Sequence, residues 1–158
     1  MAELILKNSK KHGKGIFADK DFKKNEKIME LHGGLYTYQQ LPFPYFEVED
    51  RYVQIGQNLY MGPPGGLDDF VNHSCNPNAG LKINGKKVDV IAVKNIKTGE
   101  EITWDYSTTM DEDDWEMDCL CGSQNCRKRV RDFKYLPKDT QKKYIELGII
   151  PEYILRKI

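Results

Sequence analysis

Four cysteines constrain this chain more than any other feature. Cys119, Cys121 and Cys126 fall within eight residues, and the remaining one, Cys75, lies forty-four residues upstream of Cys119. Thiolates are soft donors that suit tetrahedral zinc at about 2.3 Å, and Gly122 lets the backbone wrap tightly around such an ion. A closed tetrahedron needs a fourth ligand. Using Cys75 leaves no odd thiol; the other sources are His12, His32 or His73, with Cys75 then a buried apolar residue. Disulfides are the competitor. They sit poorly with a chain whose first residues, Met1 to Lys7, hold too short an apolar stretch for a secretory signal, and Cys119 and Cys121 would each need a separate partner. One structural zinc ion on all four cysteines is the reading carried forward.

The 158 residues suffice for one domain with its own core. No apolar run approaches the ~18–20 residues of a membrane span, so no membrane partner is expected. Lysine plus arginine equals aspartate plus glutamate at 24 each. A direct nucleic-acid partner is therefore not expected either, because such proteins normally carry a basic excess. Charge is segregated nonetheless. Residues 111–118 are acidic around Trp115, and Arg127-Lys128-Arg129-Val130-Arg131 is basic. Two solvated faces are the plain explanation; an acidic loop that attracts a cationic substrate segment is the sharper one.

Most of the chain reads as short strands. Lys14–Ala18 and Glu26–Leu31 flank a polar turn, and Arg51–Ile55 and Asn58–Met61 suggest a hairpin around Gly56-Gln57. Leu81–Ile83 and Val88–Val93 surround Asn84-Gly85, a strong hairpin signal. Glu101–Tyr106 alternates after the turn at Thr98-Gly99. The last thirty residues change character: Pro137 suits a first helical position, Leu136, Tyr144 and Leu147 share a side, and Gly148 is a stop. A second short helix is expected over Glu152–Arg156.

Cys75 belongs to the string Asn72-His73-Ser74-Cys75-Asn76-Pro77-Asn78. That string resembles the central motif of SET-domain protein-lysine methyltransferases. His12-Gly13-Lys14-Gly15-Ile16-Phe17-Ala18 resembles the family's N-terminal glycine motif, and Gly99-Glu100-Glu101-Ile102-Thr103-Trp104-Asp105-Tyr106 resembles the motif ending in its active-site tyrosine. Residues 119–127 are similar to its post-SET zinc segment, whose fourth ligand in that family comes from the central motif. The resemblance covers about residues 4 to 131, with the motifs in the family's order.

The resemblance implies a mainly β fold of several small sheets with a pseudoknot, a post-SET zinc segment and C-terminal helices. The division it suggests is a SET domain over 1–110, the zinc segment over 111–131 and a helical extension over 132–158. It implies S-adenosylmethionine as cofactor and a lysine-containing protein, histones included, as substrate. Such an enzyme would work inside a cell, in cytoplasm or nucleus, or in a host's cells if the chain is a pathogen's exported effector. Tyr106 is the expected catalytic residue. Lys14, Gly15, Ile16, Asn72, His73, Tyr106 and Leu120 are the expected cofactor contacts, with Phe133 beside Leu120 over the adenine. Trp104 and Tyr106 would line the lysine channel, and Ser74 and Asn78 would satisfy backbone groups of the crossing.

Two departures stand out. Leu31 stands where many members have a tyrosine, and Asp69 replaces an arginine that often precedes the central motif. They favour the alternative of a non-catalytic interaction module on the same fold. A zinc-dependent nucleic-acid binder using the run from Arg127 to Arg131 accounts for the cysteines but leaves Asn72-His73-Ser74 and Tyr106 unexplained.

Overall fold

Leu4–Asn8 (β1) and Lys14–Ala18 (β2) form an antiparallel hairpin in register Leu4↔Ala18. In the computed structural model, which describes residues 3–42, 52–63, 65–113 and 115–158, ten further short strands and two α-helices build on this pair around three apolar clusters. Met1, Ala2, Arg51 and Asp114 lie outside the described residues. The next strands are Lys27–Leu31 (β3), Gly34–Tyr36 (β4), Val53–Gly56 (β5) and Leu59–Gly62 (β6). They are followed by Asn72–His73 (β7), Ala79–Asn84 (β8), Lys87–Ala92 (β9) and Glu101–Trp104 (β10). Met117–Asp118 (β11) and Arg129–Val130 (β12) pair alone, and the chain closes with helices Lys138–Glu146 (α1) and Glu152–Leu155 (α2). The other sheets run β1-β2-β10-β7, β3-β9-β8 and β4-β6-β5.

The expected hairpins form with small shifts. Asn84 pairs with Lys87, so the β8–β9 turn is Gly85-Lys86, and Gly85 alone takes the positive φ, +63°. Gly56 likewise ends β5 and pairs with Leu59; the turn residue at positive φ is Asn58. An asparagine tolerates that region, so the chain need not spend a glycine there. Pro137 caps α1 and precedes its first residue, and α1 ends before Gly148 as expected.

The apolar run Val88–Val93 is buried on both faces of one strand. Val88, Val90 and Ala92 face the main core with Ile16, Phe22, Ile96 and Ile102, whereas Ile91 and Val93 face a second cluster with Phe133, Leu136, Tyr144, Ile149 and Ile154. Side chains alternate across a strand, so β9 is the partition between the body and the helical tail. β8 shares this role. Gly80 sits where a Cβ would come within 2.5 Å of Ile149 Cγ2 and 2.9 Å of its Cβ, so the tail approaches the backbone closely.

Strand β10 organises the site. It pairs antiparallel with β2 (Ile102↔Ile16) and parallel with β7 (Thr103↔Asn72, Trp104↔His73). Asn78 reinforces the pairing as a piece of imitation backbone: its amide donates to Glu101 O at 2.8 Å and accepts from Thr103 N at 2.9 Å. The central motif is thereby set beside the residues that lead into Tyr106. No helix is long and apolar enough to cross a membrane among the described residues.

Gly80→Ala is expected to destabilise the fold by about 1–3 kcal/mol through overpacking against Ile149. Denaturant unfolding of Gly80→Ala alone and combined with Ile149→Ala should show partial rescue in the double variant.

Candidate functional site

The four sulfur atoms of Cys75, Cys119, Cys121 and Cys126 lie within 4.8 Å of one another. Cys75 and Cys119 are 3.8 Å apart, the edge of a tetrahedron with ~2.3 Å zinc–sulfur bonds. The thiols are free, so the disulfide alternative falls. His12 and His32 are exposed, and the clustered donors are the four cysteines, so the histidine alternatives fall as well. Burial pushes the Cys75 thiol up to about 11 and Cys119 higher still. Burial also works against the Cys121 thiolate, but the Ser123 hydroxyl and nearby amides outweigh it and bring that thiol to about 6. A dication supplies the compensation that buried thiolates require. This donor set fits one closed, structural zinc ion.

The ligand shell is built by local hydrogen bonds. Cys75 Sγ lies 3.4 Å from His73 Nε2 and accepts from Arg127 N at 3.4 Å. His73 Nδ1 accepts from Tyr106 N at 3.1 Å, which leaves the proton on Nε2 to point at the sulfur. Burial drives His73 down to about 4, so the neutral ring is the form present near pH 7. One imidazole thus joins the metal centre to Tyr106.

Beside the sulfurs lies a cleft of about 500 Å³. Its wall takes His12, Gly13 and Lys14 from the first motif, Asn72 and His73 from β7, Tyr106, and Cys119, Leu120 and Cys121 from the zinc loop. Leu120 is 80% exposed on the rim. Asn72 Nδ2 lies 3.1 Å from His12 O, 3.0 Å from Lys14 O and 2.9 Å from Glu101 Oε1, so that end of the amide shapes the cleft wall. Ser9 Oγ donates to the same Glu101 carboxylate at 2.8 Å and accepts from Lys11 N at 2.9 Å, which fixes the loop leading to Lys14.

Tyr106 is half-buried in the 3-10 turn Tyr106–Thr108, which Asp105 caps by accepting from Ser107 N. Its hydroxyl donates to Val71 O at 2.7 Å. Its ring centroid lies 4.8 Å from Trp104, 5.3 Å from His73 and 6.3 Å from Trp115. Asp105, 1% exposed, accepts from Arg127 through both carboxylate oxygens at 2.8 Å and from Tyr144 OH at 2.8 Å. Burial opposes the Arg127 charge and the Asp105 carboxylate more than offsets that, so the guanidinium stays protonated. Burial, with Asp105 adding to it, raises Tyr144 and keeps its hydroxyl a donor.

Several expected positions lie elsewhere. Ile16 is fully buried in the main core and pairs with Ile102, so its side chain faces away from the cleft. Gly15 is buried beneath Asn72 Nδ2 and Glu101, where a Cβ would displace both. Phe133 is 1% exposed in the tail's cluster and does not cover the cleft. Trp104 is 5% exposed and packs in the core against Tyr106. Leu31 sits in the main core and Asp69 on the cleft rim. Sequence reading missed Asp105, Arg127, Tyr144 and Trp115. Only Trp115 carried a signal, as an aromatic residue inside an acidic run.

The segregated charges meet each other. Arg129 pairs with Glu116 and Asp118, Arg131 with Glu116, Lys134 with Asp113 and Lys157 with Asp111. These pairs set four cations beside Asp111, Asp113, Glu116 and Asp118, as solvated faces of opposite charge would.

A family model described as SET domain matches residues 13–107. Histone-lysine N-methyltransferase trr of Drosophila melanogaster is 29% identical over 140 residues, 79% of this chain and 6% of that protein. Variant-silencing SET domain-containing protein of Plasmodium falciparum is 33% identical over 140 residues, 78% of this chain and 5% of that protein. This chain therefore spans only a small part of those relatives. KRYPTONITE, solved with mCHG DNA and SAH, superposes with a TM-score of 0.67 at 23% identity over 81% of this chain and 29% of that one. A second complex, with mCHH DNA, an H3(1-15) peptide and SAH, gives 0.64 at 22% identity with the same coverage. These likenesses establish the fold.

Metal analysis of the purified, non-denatured protein is expected to return one zinc ion per chain. Cys119→Ser should lose most of that metal, measured the same way.

Proposed function

This chain belongs to the SET-domain family, and from that premise we propose that it methylates the side-chain amine of lysine in a protein, using S-adenosylmethionine. One observation carries the proposal: the glycine motif, the central motif, Tyr106 and the zinc loop, far apart in sequence, converge on a single cleft. Its volume, about 500 Å³, is in the range of small-molecule sites. Lys14, Asn72, His73 and Leu120 are the residues that would hold the cofactor, with exposed Leu120 offering an apolar face to a flat ring. SAH, present in the KRYPTONITE complexes, is what remains of S-adenosylmethionine after methyl donation. Histones are the substrates that the relatives' names and the H3 peptide of KRYPTONITE support.

When bound, S-adenosylmethionine supplies a methyl group on a positively charged sulfur, which an uncharged lysine amine can accept. The residues around Tyr106 favour that uncharged form. Trp104, Trp115 and Tyr106 make an apolar aromatic surround, and leaving water lowers a lysine's pKa from ~10.4. The Tyr106 proton is committed to Val71 O. Towards an amine its oxygen can therefore act only as a hydrogen-bond acceptor, holding an N–H and turning the nitrogen lone pair along the transfer line. Asp105 is adjacent and buried, but four donors occupy its oxygens, which removes it as a base.

The rival, a non-catalytic module, drew on Leu31 and Asp69. Leu31 packs in the core and leaves the aromatic surround of Tyr106 intact. The zinc ion has a positional role in this reading, tying the central motif to the loop that forms one cleft wall. The fitting compartment is one where protein lysines and S-adenosylmethionine meet, cytoplasm or nucleus.

The decisive assay is radiolabelled methyl transfer to histones and to a cell lysate, with mapping of the modified residue. Tyr106→Phe is expected to lower the rate roughly 100-fold or more, the scale of losing one well-placed polar contact at a reacting centre. Trp104→Phe is expected to change the proportions of mono-, di- and trimethyl products resolved by mass spectrometry. Chelating the zinc should weaken S-adenosylmethionine binding, followed by calorimetry, before the main β core melts, because that core contains no cysteine.

A further inference from the structure

We propose that the C-terminal helices brace the active-site turn, with Tyr144 and Tyr153 as positioning residues for Tyr106. The turn runs from Asp105 to Thr109 and carries Tyr106 near its start. Its two ends are held by two hydroxyls from the tail. Tyr144, on α1, donates to Asp105 Oδ2 at 2.8 Å. Tyr153, on α2, has its hydroxyl 2.5 Å from Thr109 O and 3.1 Å from Gln54 O, so its single proton goes to Thr109. Both contacts span long sequence separations, 39 and 44 residues, and neither belongs to a regular backbone ladder.

The tail also closes an apolar cluster, which burial alone would explain. The hydroxyls need a separate reason. Phenylalanine would serve the packing at both places, yet each tyrosine places its oxygen on the same five-residue turn. Tyr144 is 2% exposed and Asp105 1%, so water does not substitute for this contact. Without the Tyr144 hydroxyl, Asp105 Oδ2 keeps only Arg127 Nη1, and the carboxylate is free to rotate toward the donors that remain. Because Asp105 caps the turn through Ser107 N, its rotation moves the Tyr106 backbone, whose N–H is aimed at His73 Nδ1. The Tyr106 ring then shifts relative to Trp104 and Val71. A displacement on the ångström scale is enough to lose much of a positional advantage.

The catalytic consequence rests on the methyltransferase reading; the structural consequence does not. The experiment uses the full chain with zinc bound and compares Tyr144→Phe, Tyr153→Phe, the double variant and a packing control, Ile149→Val, which loosens the same cluster without touching a hydroxyl. Methyl transfer to an H3(1-15) peptide gives kcat and KM, and amide hydrogen exchange is followed over residues 105–110. Tyr144→Phe is expected to lower kcat about tenfold, with KM for S-adenosylmethionine within about twofold. Tyr153→Phe should act in the same direction, and both should speed exchange in the turn. Ile149→Val should lower the melting temperature and leave kcat unchanged. Wild-type kcat in the tyrosine variants, or an equal loss in Ile149→Val, overturns the brace. If the wild-type chain transfers no methyl group to this peptide, to histones or to a cell lysate, the functional reading fails, and exchange at 105–110 still decides: faster in the tyrosine variants supports the brace, unchanged overturns it.

Discussion

A buried carboxylate sets the terms for this structure. Asp105 is 1% exposed, and an ionised group in that position is tolerated only when it is paired and fully hydrogen-bonded. Its four donors come from three regions: Ser107 from the turn itself, Arg127 from the zinc segment and Tyr144 from the tail. Removing Arg127 leaves the carboxylate without its ion pair in an apolar surround, and removing the Ser107 N–H or the Tyr144 hydroxyl leaves it one donor short. The zinc segment and α1 therefore do more than cover the β body; the body contains a group that is satisfied only when they are docked.

The metal centre and Asp105 are two fastenings of the same segment. Arg127 follows Cys126 directly, donates its backbone N–H to Cys75 Sγ and sends its guanidinium to Asp105. Coordination fixes where the backbone of residues 119–127 lies, and that placement delivers the arginine fork to the carboxylate in bidentate geometry. The neutral His73 ring completes the circuit between Cys75 and Tyr106. Disturbing the metal thus reaches the cleft by two routes, through the wall formed by Cys119–Cys121 and through the cap of the Tyr106 turn.

What could be read from the chain in advance was what is local or chemically distinctive. Cysteine spacing, the string from Asn72 to Asn78 and the stretch ending at Tyr106 carry their meaning within a few residues, and Leu136, Tyr144 and Leu147 mark the tail by helical periodicity, with Gly148 as its stop. Strands β7, β11 and β12 have two residues each, too few for any alternating pattern to register. β9 hides its orientation because both its faces are buried. Ile16 and Phe133 look equally apt as cofactor walls or as core, and only tertiary packing assigns them to the core. Asp105, Arg127 and Tyr144 are ordinary residue types whose role exists only once three distant segments meet.

The same non-locality explains the charge pattern. An acidic run and a basic run close together in sequence read as two separate solvated faces, whereas the short β11–β12 pairing folds one onto the other. Glu116 meets Arg129 and Arg131, and Asp118 meets Arg129. Exposed pairs of this kind contribute roughly 0–1 kcal/mol each, so their main effect is cancellation of field and not stability. Arg127, the first residue of the basic run, is withdrawn to Asp105 altogether. With Arg127, Arg129 and Arg131 engaged, the basic run does not supply a strong single-sign field for steering a partner from afar. Under the proposed methyl transfer, discrimination between substrates then has to arise at short range, where the aromatic surround of Tyr106 would meet the incoming chain.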